Sequence, residues 1–318
     1  MYIVTGGAGF IGSNIVAALN REGITDILVV DNLETASKFL NLRDLFYADY
    51  MDKVEFRQKV ENKLFERMRV EAIFHQGACS NTMEYNGRYM MDNNFTYSKI
   101  LFHEAVNHKI PFVYASSAAT YGSSTRFAEE PENEAPLNVY GYSKLAFDRY
   151  VMRYFPRLTS TVAGLRYFNV YGPRERHHKG HMASQVYQLY RQLKDTSGAR
   201  LFEGGGGYEN GGQLRDFIHV DDVVSVNLFL ARGAPRQGVF NCGTGQARAF
   251  NDIANHWIRR LGRGAIQYVP MPDGLREKYQ NFTQADMRRL RETGYSQPFL
   301  SLEEGIDRYF EVLQKEDG

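Results

Sequence analysis

Cysteine is scarce in this chain, and long apolar runs are missing from it. Cys79 and Cys242 are the only cysteines, which is too few for a disulfide framework. No apolar run is long enough to cross a bilayer. The N-terminal stretch MYIVTGGAGF enters a strand pattern at once, without the basic region and cleavage site of a secretion signal. We therefore expect a reduced, cytoplasmic, globular protein with no membrane partner.

An excess of charge of one sign is missing as well. The 38 Lys and Arg residues and 37 Asp and Glu residues leave a formal net charge of +1, so no nucleic-acid partner is expected. Aromatic residues make up 14% of the chain, which suits a ligand-binding enzyme, an oligomer or an ordinary core. The 318 residues can form one large or two modest domains.

The first half of the chain alternates apolar runs with amphipathic segments. Buried strands are predicted for YIVTG, DILVVD, EAIFHQGA, PFVYASSAA and TVAGLRYFNVYG. Helices are predicted for FIGSNIVAALNREG and YSKILFHEAVNHK. This alternation is typical of βαβ units in an α/β fold with a doubly wound parallel sheet. Such sheets bind ligands at the carboxyl ends of their strands.

The pattern loosens beyond Asn169. EGGGGYENGGQ is a glycine-rich loop, and GVFNCGTGQ predicts one more strand. RDFIHVDDVVSVNLFLARG predicts a strand end followed by a helix that Asp221 or Asp222 caps. FTQADMRRLRETGY and SLEEGIDRYFEVLQK predict two further helices. These segments indicate a second, smaller region of mixed structure.

A glycine triplet follows the first strand directly. Gly6, Gly9 and Gly12 are spaced three residues apart between that strand and the first helix. Glycine permits a tight turn, and the helix N-terminus presents free N–H groups to a pyrophosphate. With Asp31 at the end of the second strand, this context matches the dinucleotide-binding fingerprint.

The kind of dinucleotide stays open at this point. Asp31 favours the ribose hydroxyls of NAD, whereas Lys38 and Lys53 suit the 2′-phosphate of NADP.

The stretch NVYGYSK has a tyrosine four residues before a lysine, Tyr140 and Lys144. On a helix these side chains share a face, and an ammonium group beside a phenol favours the phenolate, which can act as a base. An amphipathic helix start with a half-buried tyrosine and a snorkelling lysine explains the same spacing. Taken alone, this spacing is common and favours the structural explanation, so the rest of the sequence must decide.

The glycine turn, ASSAATYG and YGYSK, in this order, resemble the extended short-chain dehydrogenase/reductase family. The resemblance implies a Rossmann fold and assigns the family's serine, tyrosine and lysine to Ser117, Tyr140 and Lys144. In that family the serine hydrogen-bonds the reacting alcohol and the tyrosine transfers its proton. The lysine lowers the tyrosine pKa and holds the nicotinamide ribose.

A narrower resemblance, to the nucleotide-sugar epimerases that act on ADP-heptose, runs through almost the whole chain. It is carried in order by TGGAGFIGSNIV, DILVVDNL, IFHQGACS, YMMDNN, LNVYGYSK, RYFNVYGPRE, HKGHMAS, LFEG, RDFIHVDDV, FNCGTG and YQNFTQAD. The resemblance implies inversion of the C6″ carbinol of ADP-heptose through a transient ketone, in lipopolysaccharide core synthesis. It also implies tightly held NADP, with NAD as the alternative, and a homo-oligomer, usually a pentamer.

The resemblance places site residues along the chain. Lys179 matches a second catalytic acid/base. Cofactor contacts fall on Gly6, Gly9, Phe10, Ile11, Gly12, Asp31, Asn32, Lys38, Lys53, Gln76, Gly77, Ala78, Cys79, Ser80, Asn93, Tyr140, Lys144, Val170 and Lys179. Substrate contacts fall on Ser117, Asn169, His181, Gln188, Phe202, Glu203, Gly204, Gly205, Arg215 and Tyr279. We predict a Rossmann domain of residues 1–168 plus about 214–240, and a substrate domain of residues 169–213 and 241–318.

Other functions compete with this one. A UDP-hexose 4-epimerase has the same serine, tyrosine and lysine, and a catalytically silent NADP-binding protein is a second alternative. A dehydratase is disfavoured because SSAATYG lacks the Asp-Glu pair of that group. His177, His178 and His181 invite a metal site, but they have no Cys or carboxylate at ligand spacing, so no metal is expected.

Overall fold

The computed structural model of this protein describes residues 1–272, 274 and 279–317, with the side chains of His178, His181 and Asp317 left out. The strands are β1 (Tyr2–Thr5), β2 (Ile27–Asp31), β3 (Asp49–Asp52), β4 (Ala72–His75), β5 (Phe112–Ser117), β6 (Val162–Tyr167), β7 (Asn169–Tyr171), β8 (Gly198–Phe202), β9 (Leu214–His219), β10 (Gln237–Cys242), β11 (Ala247–Ala249) and β12 (Ala265–Val269). The helices are α1 (Phe10–Arg21), α2 (Lys53–Glu61), α3 (Gly87–Met91), α4 (Tyr97–Asn107), α5 (Val139–Met152), α6 (Arg176–Lys179), α7 (Gln185–Thr196), α8 (Val220–Ala231), α9 (Phe250–Leu261), α10 (Arg288–Glu292) and α11 (Leu302–Asp317). None of these helices has both the length and the hydropathy that a bilayer span requires.

Seven parallel strands form the main sheet, in the order β10-β6-β5-β4-β1-β2-β3. The predicted α/β class with a doubly wound parallel sheet is confirmed. The chain winds outward from β1 in both directions, so the strand order reverses between β1 and β4. In open sheets of this kind, ligands bind outside the carboxyl ends of the strands at that reversal.

Apolar side chains cover both faces of this sheet. Ile3 and Val4 are both fully buried and point to opposite faces, because successive strand residues alternate. On the Val4 face α1 and α8 pack together, and on the Ile3 face α2, α4 and α5 pack. Burial on both faces explains why the strands read as continuous apolar runs.

The second part of the chain builds two small sheets and a helical layer. β7 and β9 pair in parallel and β11 joins β9 antiparallel, while β8 and β12 form a separate parallel pair. Helices α7, α9 and α11 share a core around Trp257, which is fully buried and donates its indole N–H to the Val186 carbonyl at 2.8 Å. The domain boundaries proposed from the sequence remain a prediction.

Two local predictions were wrong. The cap of α8 is His219, whose Nδ1 accepts the Asp221 N–H at 3.2 Å, because β9 leads into the helix with no intervening loop. Neither Asp221 nor Asp222 is the cap. The helix predicted over FTQADMRRLRETGY is limited to Arg288–Glu292, since the preceding residues pair with β9 at Phe282 and Thr283.

A buried polar chain links the main sheet to α4. The His75 Nε2 atom lies 2.8 Å from the Ser98 hydroxyl, which itself donates to the Asn94 carbonyl at 2.6 Å. Nε2 therefore carries the proton, and Nδ1, 2.7 Å from the Thr5 hydroxyl, accepts. Burial, reinforced by the Lys144 charge, lowers the pKa of His75 to about 3.

This shift makes stability depend on pH. Unfolded His75 binds a proton below about pH 6.5 and the folded imidazole only below about pH 3, so stability falls as the pH drops between these values. We expect His75→Gln to remove roughly 1.4 kcal/mol per pH unit from the slope in this window. Denaturant unfolding at a series of pH values measures the slope. His108→Gln, at a partly exposed imidazole that follows α4, should retain the wild-type slope; an equal change in both variants would contradict the assignment.

Candidate active site

A cavity of ≈ 670 Å³ lies at the carboxyl ends of the main-sheet strands. It is lined by every residue predicted to contact the cofactor, namely Gly6, Gly9, Phe10, Ile11, Gly12, Asp31, Asn32, Lys38, Lys53, Gln76, Gly77, Ala78, Cys79, Ser80, Asn93, Tyr140, Lys144, Val170 and Lys179. The fold thus brings these residues together, although their roles remain predictions.

The glycine turn forms one wall of the cavity by close backbone approach. Gly6 has φ +67°, and a Cβ built on it would lie 2.6 Å from the Gly77 nitrogen. A Cβ on Gly12 would collide with the Gly6 carbonyl. Helix α1 starts after Gly9 with no side-chain cap, which leaves backbone N–H groups at its positive end for an anion. This cradle fits a dinucleotide pyrophosphate.

Two lysines and one carboxylate surround the end of β2. Lys38 Nζ donates to Asp31 Oδ1 at 2.9 Å and to the Asn32 side-chain oxygen at 2.8 Å. The other Asp31 oxygen accepts the Ala8 N–H at 2.9 Å. Lys53 Nζ donates to Asn93 Oδ1 at 3.1 Å. The buried carboxylate is therefore already paired, and the balance of charge here is positive.

Ser117, Tyr140 and Lys144 line the same cavity. Ser117 ends β5, while Tyr140 and Lys144 occupy successive turns of α5, which begins where Asn138 Oδ1 accepts the Gly141 N–H at 2.8 Å. Burial raises the pKa of Tyr140 and outweighs the neighbouring Ser117 hydroxyl, which favours the phenolate.

The lysine does not lower the pKa of Tyr140 as the sequence led us to expect. Lys144 Nζ donates to the Ala115 carbonyl at 2.8 Å, and burial lowers the pKa of this ammonium to about 8. The direction of the Tyr140 shift is opposite to the one that the sequence spacing suggested, because burial of the phenol, which the spacing does not show, outweighs the other effects on its pKa.

Lys179 reaches the cavity from α6. Its Nζ lies 4.8 Å from the centre of the Phe10 ring. Burial lowers the pKa of Lys179, and the Glu175 carboxylate opposes this shift. The preceding backbone is fixed to α1, since Asn14 Nδ2 donates to the Pro173 carbonyl at 2.9 Å.

Of the predicted substrate residues, Ser117 and Asn169 line the cavity. Arg215, Phe202 and Tyr279 form a neighbouring cluster in which the guanidinium lies 5.1 Å and the Phe202 ring 5.9 Å from the Tyr279 ring centre. Arg215 shares a face of β9 with Phe217, a cavity residue.

The other predicted substrate residues lie outside the cavity lining. Gln188 Nε2 donates to the Gly180 carbonyl at 3.0 Å. Glu203 continues from β8, and Gly204 and Gly205 begin the glycine-rich loop, where the Gly204 N–H donates to Asn210 at 2.7 Å. The side chain of His181 lies outside the described residues. In the described part of the chain, no group of three or more His, Cys, Asp and Glu side chains is arranged to hold a metal.

The sequence missed several cavity residues. Tyr97 lines the cavity, and its buried hydroxyl has no hydrogen-bond partner in the described part of the chain. A π-helical turn at Asp92–Thr96 precedes it, and such turns are frequent at functional sites. Thr5, Val30, Tyr89, Ser116, Tyr167, Phe168, Met182, Ala183, Ser184, Gln185 and Phe217 were also missed. Their ordinary spacing gives no signal; they become neighbours only through the fold.

Known proteins are similar to this chain over nearly its whole length. A family model described as the NAD dependent epimerase/dehydratase family matches residues 2–243. A protein of Alkalilimnicola ehrlichii named ADP-L-glycero-D-manno-heptose-6-epimerase is 53% identical over 314 residues, covering 98% of this chain and 97% of the relative. The crystal structure of the Helicobacter pylori ADP-L-glycero-D-manno-heptose-6-epimerase is 32% identical, with a TM-score of 0.85 over 98% of this chain and 96% of that one. A Thermotoga maritima UDP-glucose 4-epimerase, solved with UDP-glucose, is 28% identical, with a TM-score of 0.81 over 100% and 99%.

The glycine cradle can be tested with a matched pair of variants. Gly6 and Gly23 both have positive φ, but a Cβ on Gly23 meets no atom within 4 Å. We expect Gly6→Ala to weaken binding of the nicotinamide dinucleotide by about tenfold or more, or about 1.4 kcal/mol, since its Cβ pushes against the Gly77 backbone. Titration of nucleotide-free protein measures the affinity. Gly23→Ala should bind as the wild type does, and equal affinities in both variants would contradict the close-approach argument.

Proposed function

The chain belongs to the NAD dependent epimerase/dehydratase family, and we propose that it inverts C6″ of ADP-heptose. In this proposal it converts ADP-D-glycero-β-D-manno-heptose to the L-glycero epimer through a 6″-keto intermediate, for lipopolysaccharide core synthesis. The observation that carries the proposal is the meeting of Ser117, Tyr140, Lys144 and Lys179 in one cavity with the glycine turn. The 53% identity to the Alkalilimnicola protein supports the choice of substrate. A homopentamer remains a prediction from the family resemblance.

The reaction needs redox chemistry, because the C–H bond of a carbinol is not acidic. A bound nicotinamide supplies hydride removal and return at that carbon. The residues of the chain must therefore bind the cofactor, orient the sugar and move the hydroxyl proton. Oxidation of the alcohol requires a base, and reduction of the ketone requires an acid.

Tyr140 suits the proton transfer at one face of the carbinol. Burial keeps the phenol protonated near neutral pH, while the neighbouring Ser117 hydroxyl favours the phenolate. The same group can thus donate a proton in one direction and accept it in the other. Lys144, which donates to the Ala115 carbonyl, contributes a positive charge, and this charge is lost as the pH rises above about 8.

Lys179 suits the second proton transfer. The two epimers direct their C6″ hydroxyls differently, so one group is not expected to reach both. An ammonium group whose pKa is lowered by burial exchanges its proton more readily near neutral pH than an exposed lysine does.

Arg215 suits the diphosphate of the substrate. Only 8% of its surface is exposed, and no described carboxylate pairs with its guanidinium, which lies against the rings of Phe250 and Tyr279. Burial lowers the pKa of this group. A buried cation is costly unless it is paired, and the planar fork of arginine matches phosphate oxygens.

NADP is our proposed cofactor. Asp31 is occupied by Lys38, and Lys53 lies in the same lining, so the positive balance suits the extra phosphate of NADP better than the free hydroxyl of NAD. Release and chromatographic identification of the nucleotide from purified protein tests this part. NAD as the bound species would overturn it without affecting the epimerase proposal.

UDP-hexose 4-epimerisation is the second candidate. The likeness to the Thermotoga UDP-glucose 4-epimerase favours it, and the same hydride and proton chemistry would serve both reactions. Parallel assays with ADP-heptose and UDP-galactose separate them.

The central test is turnover of ADP-D-glycero-β-D-manno-heptose, with the C6″ configuration followed by NMR. We expect Tyr140→Phe to retain its nucleotide but lose epimerisation by about a hundredfold or more, because proton transfer is lost. Tyr142→Phe, at an exposed phenol two residues away, should epimerise normally. Wild-type turnover by Tyr140→Phe, or solvent deuterium at C6″, would rule the mechanism out.

The diphosphate assignment has its own control. We expect Arg215→Gln to lower kcat/KM by about thirtyfold or more, or about 2 kcal/mol, mainly through KM. Arg248 lies opposite Arg215 in the ladder and pairs with Asp252 and Glu303. Steady-state kinetics of Arg248→Gln should resemble the wild type. An unchanged KM in Arg215→Gln would remove the arginine from the substrate site.

A further inference from the structure

A fully buried carboxylate, Glu175, lies in the segment that carries Lys179. Its Oε1 accepts the Gly172 N–H at 3.1 Å and the Ser184 hydroxyl at 2.8 Å, and its Oε2 accepts the Ser184 N–H at 2.6 Å. One side chain therefore joins the beginning and the end of residues 172–184. The Glu175 carboxylate thus closes residues 172–184 into a loop.

Both ends of this loop are attached to other elements. At the start, the Pro173 carbonyl accepts from Asn14 of α1, and the Arg174 guanidinium binds the Asn41 carbonyl at 2.6 Å. At the end, the Ser184 hydroxyl caps α7 by accepting the Tyr187 N–H at 3.2 Å. Glu175 connects these two anchors, so the position of α6 between them depends on it.

Glu175 also acts on Lys179 through its charge. Burial raises the pKa of the carboxyl, and the Lys179 charge and the three hydrogen bonds oppose that rise. Burial lowers the pKa of Lys179, and the carboxylate in return raises it. The Phe10 ring faces the ammonium from α1, Ser184 and Gln185 of the same cavity are uncharged, and the Tyr309 phenol of α11 faces Glu175.

We propose that Glu175 is the positioning residue for Lys179. It holds residues 172–184 closed so that the lysine stays in the cavity, and it supplies the negative charge that acts on the lysine. This inference rests on the proposed function, in which Lys179 serves one epimer and Tyr140 the other. Loss of Glu175 should therefore affect one half of the reaction selectively.

Single-turnover assays on protein with its bound nucleotide test this selectivity. Each epimer is added separately, and the absorbance of reduced nicotinamide reports its oxidation. In Glu175→Gln we expect the rate with the epimer that Lys179 serves to fall about tenfold or more, with the other epimer oxidised normally. Lys179→Met identifies the affected epimer, and adding Glu175→Gln to it should cause no further loss.

A matched control separates positioning from general stability. Asp222 is another buried carboxylate and accepts the Leu300 N–H at 3.0 Å, but it does not line the cavity. Asp222→Asn should lower the melting temperature and leave both half-reactions unchanged. Equal slowing of both half-reactions in Glu175→Gln, or additive loss in the double variant, would overturn the proposal.

A second readout does not depend on turnover. The labelling of Lys179 by an amine-reactive reagent, mapped by mass spectrometry across pH, follows its neutral fraction. We expect the labelling midpoint to move to lower pH in Glu175→Gln and to stay in place in Glu175→Asp. The aspartate keeps the charge but is too short to reach both anchors, so its selective rate loss would remain.

The possible failures are distinguishable. Full oxidation of both epimers by Lys179→Met would remove the two-group mechanism of the proposed function, whereas labelling of protein that retains Lys179 would still report the effect of the Glu175 charge on that lysine. An unchanged labelling midpoint in Glu175→Gln would overturn the inference even if Lys179 proves to be catalytic. If Glu175→Gln fails to fold, Glu175→Asp provides the test through its selective rate loss.

Discussion

The site depends on the turns after β1 and β4 lying in backbone contact. Thr5 makes this contact possible. Its hydroxyl oxygen accepts the Gly77 N–H at 3.2 Å, and the same hydroxyl donates its proton to the buried His75 ring. A side chain at Gly6 would separate the two turns. Because backbone alone forms this part of the cavity wall, the amino end of α1 stays open to a phosphate. The rest of the lining extends from this contact.

Two buried arginines, Arg166 and Arg215, differ in the groups that surround their guanidinium charges. Arg166 is almost fully buried but paired on both sides, with Asp148 and with Glu134. It ties β6 to α5, the helix that carries Tyr140 and Lys144. Arg215 is nearly as buried and has aromatic rings in place of described carboxylates. Since an unpaired buried charge costs free energy, the second arrangement favours an anionic ligand where the first only holds the fold.

Most of the main sheet could be predicted because buried parallel strands are recognisable as apolar runs. The run ILVVD of β2 is buried at all five positions. Strands β3, β8 and β12 were missed, since DYMD and GARLF mix exposed and buried residues, AIQYV has no buried residue, and all three depend on distant partners. Side-chain direction was equally hidden. Spacing placed Tyr140 and Lys144 one turn apart, but it showed neither that burial raises the pKa of Tyr140 nor that the Lys144 ammonium donates to the Ala115 carbonyl.

The Lys179 segment explains how distant parts of the chain combine in one site. Its anchors, Asn14 and the Asn41 carbonyl, lie in the part of the chain that builds the dinucleotide cradle. Its other end caps α7, whose core surrounds Trp257. The segment is therefore attached both to the part of the chain that contains Asn14 and Asn41 and to α7. A shift of either part would move Lys179 relative to the Phe10 ring. A buried carboxylate between the two anchors keeps that distance fixed, because three hydrogen bonds and the effect of one opposite charge converge on Glu175.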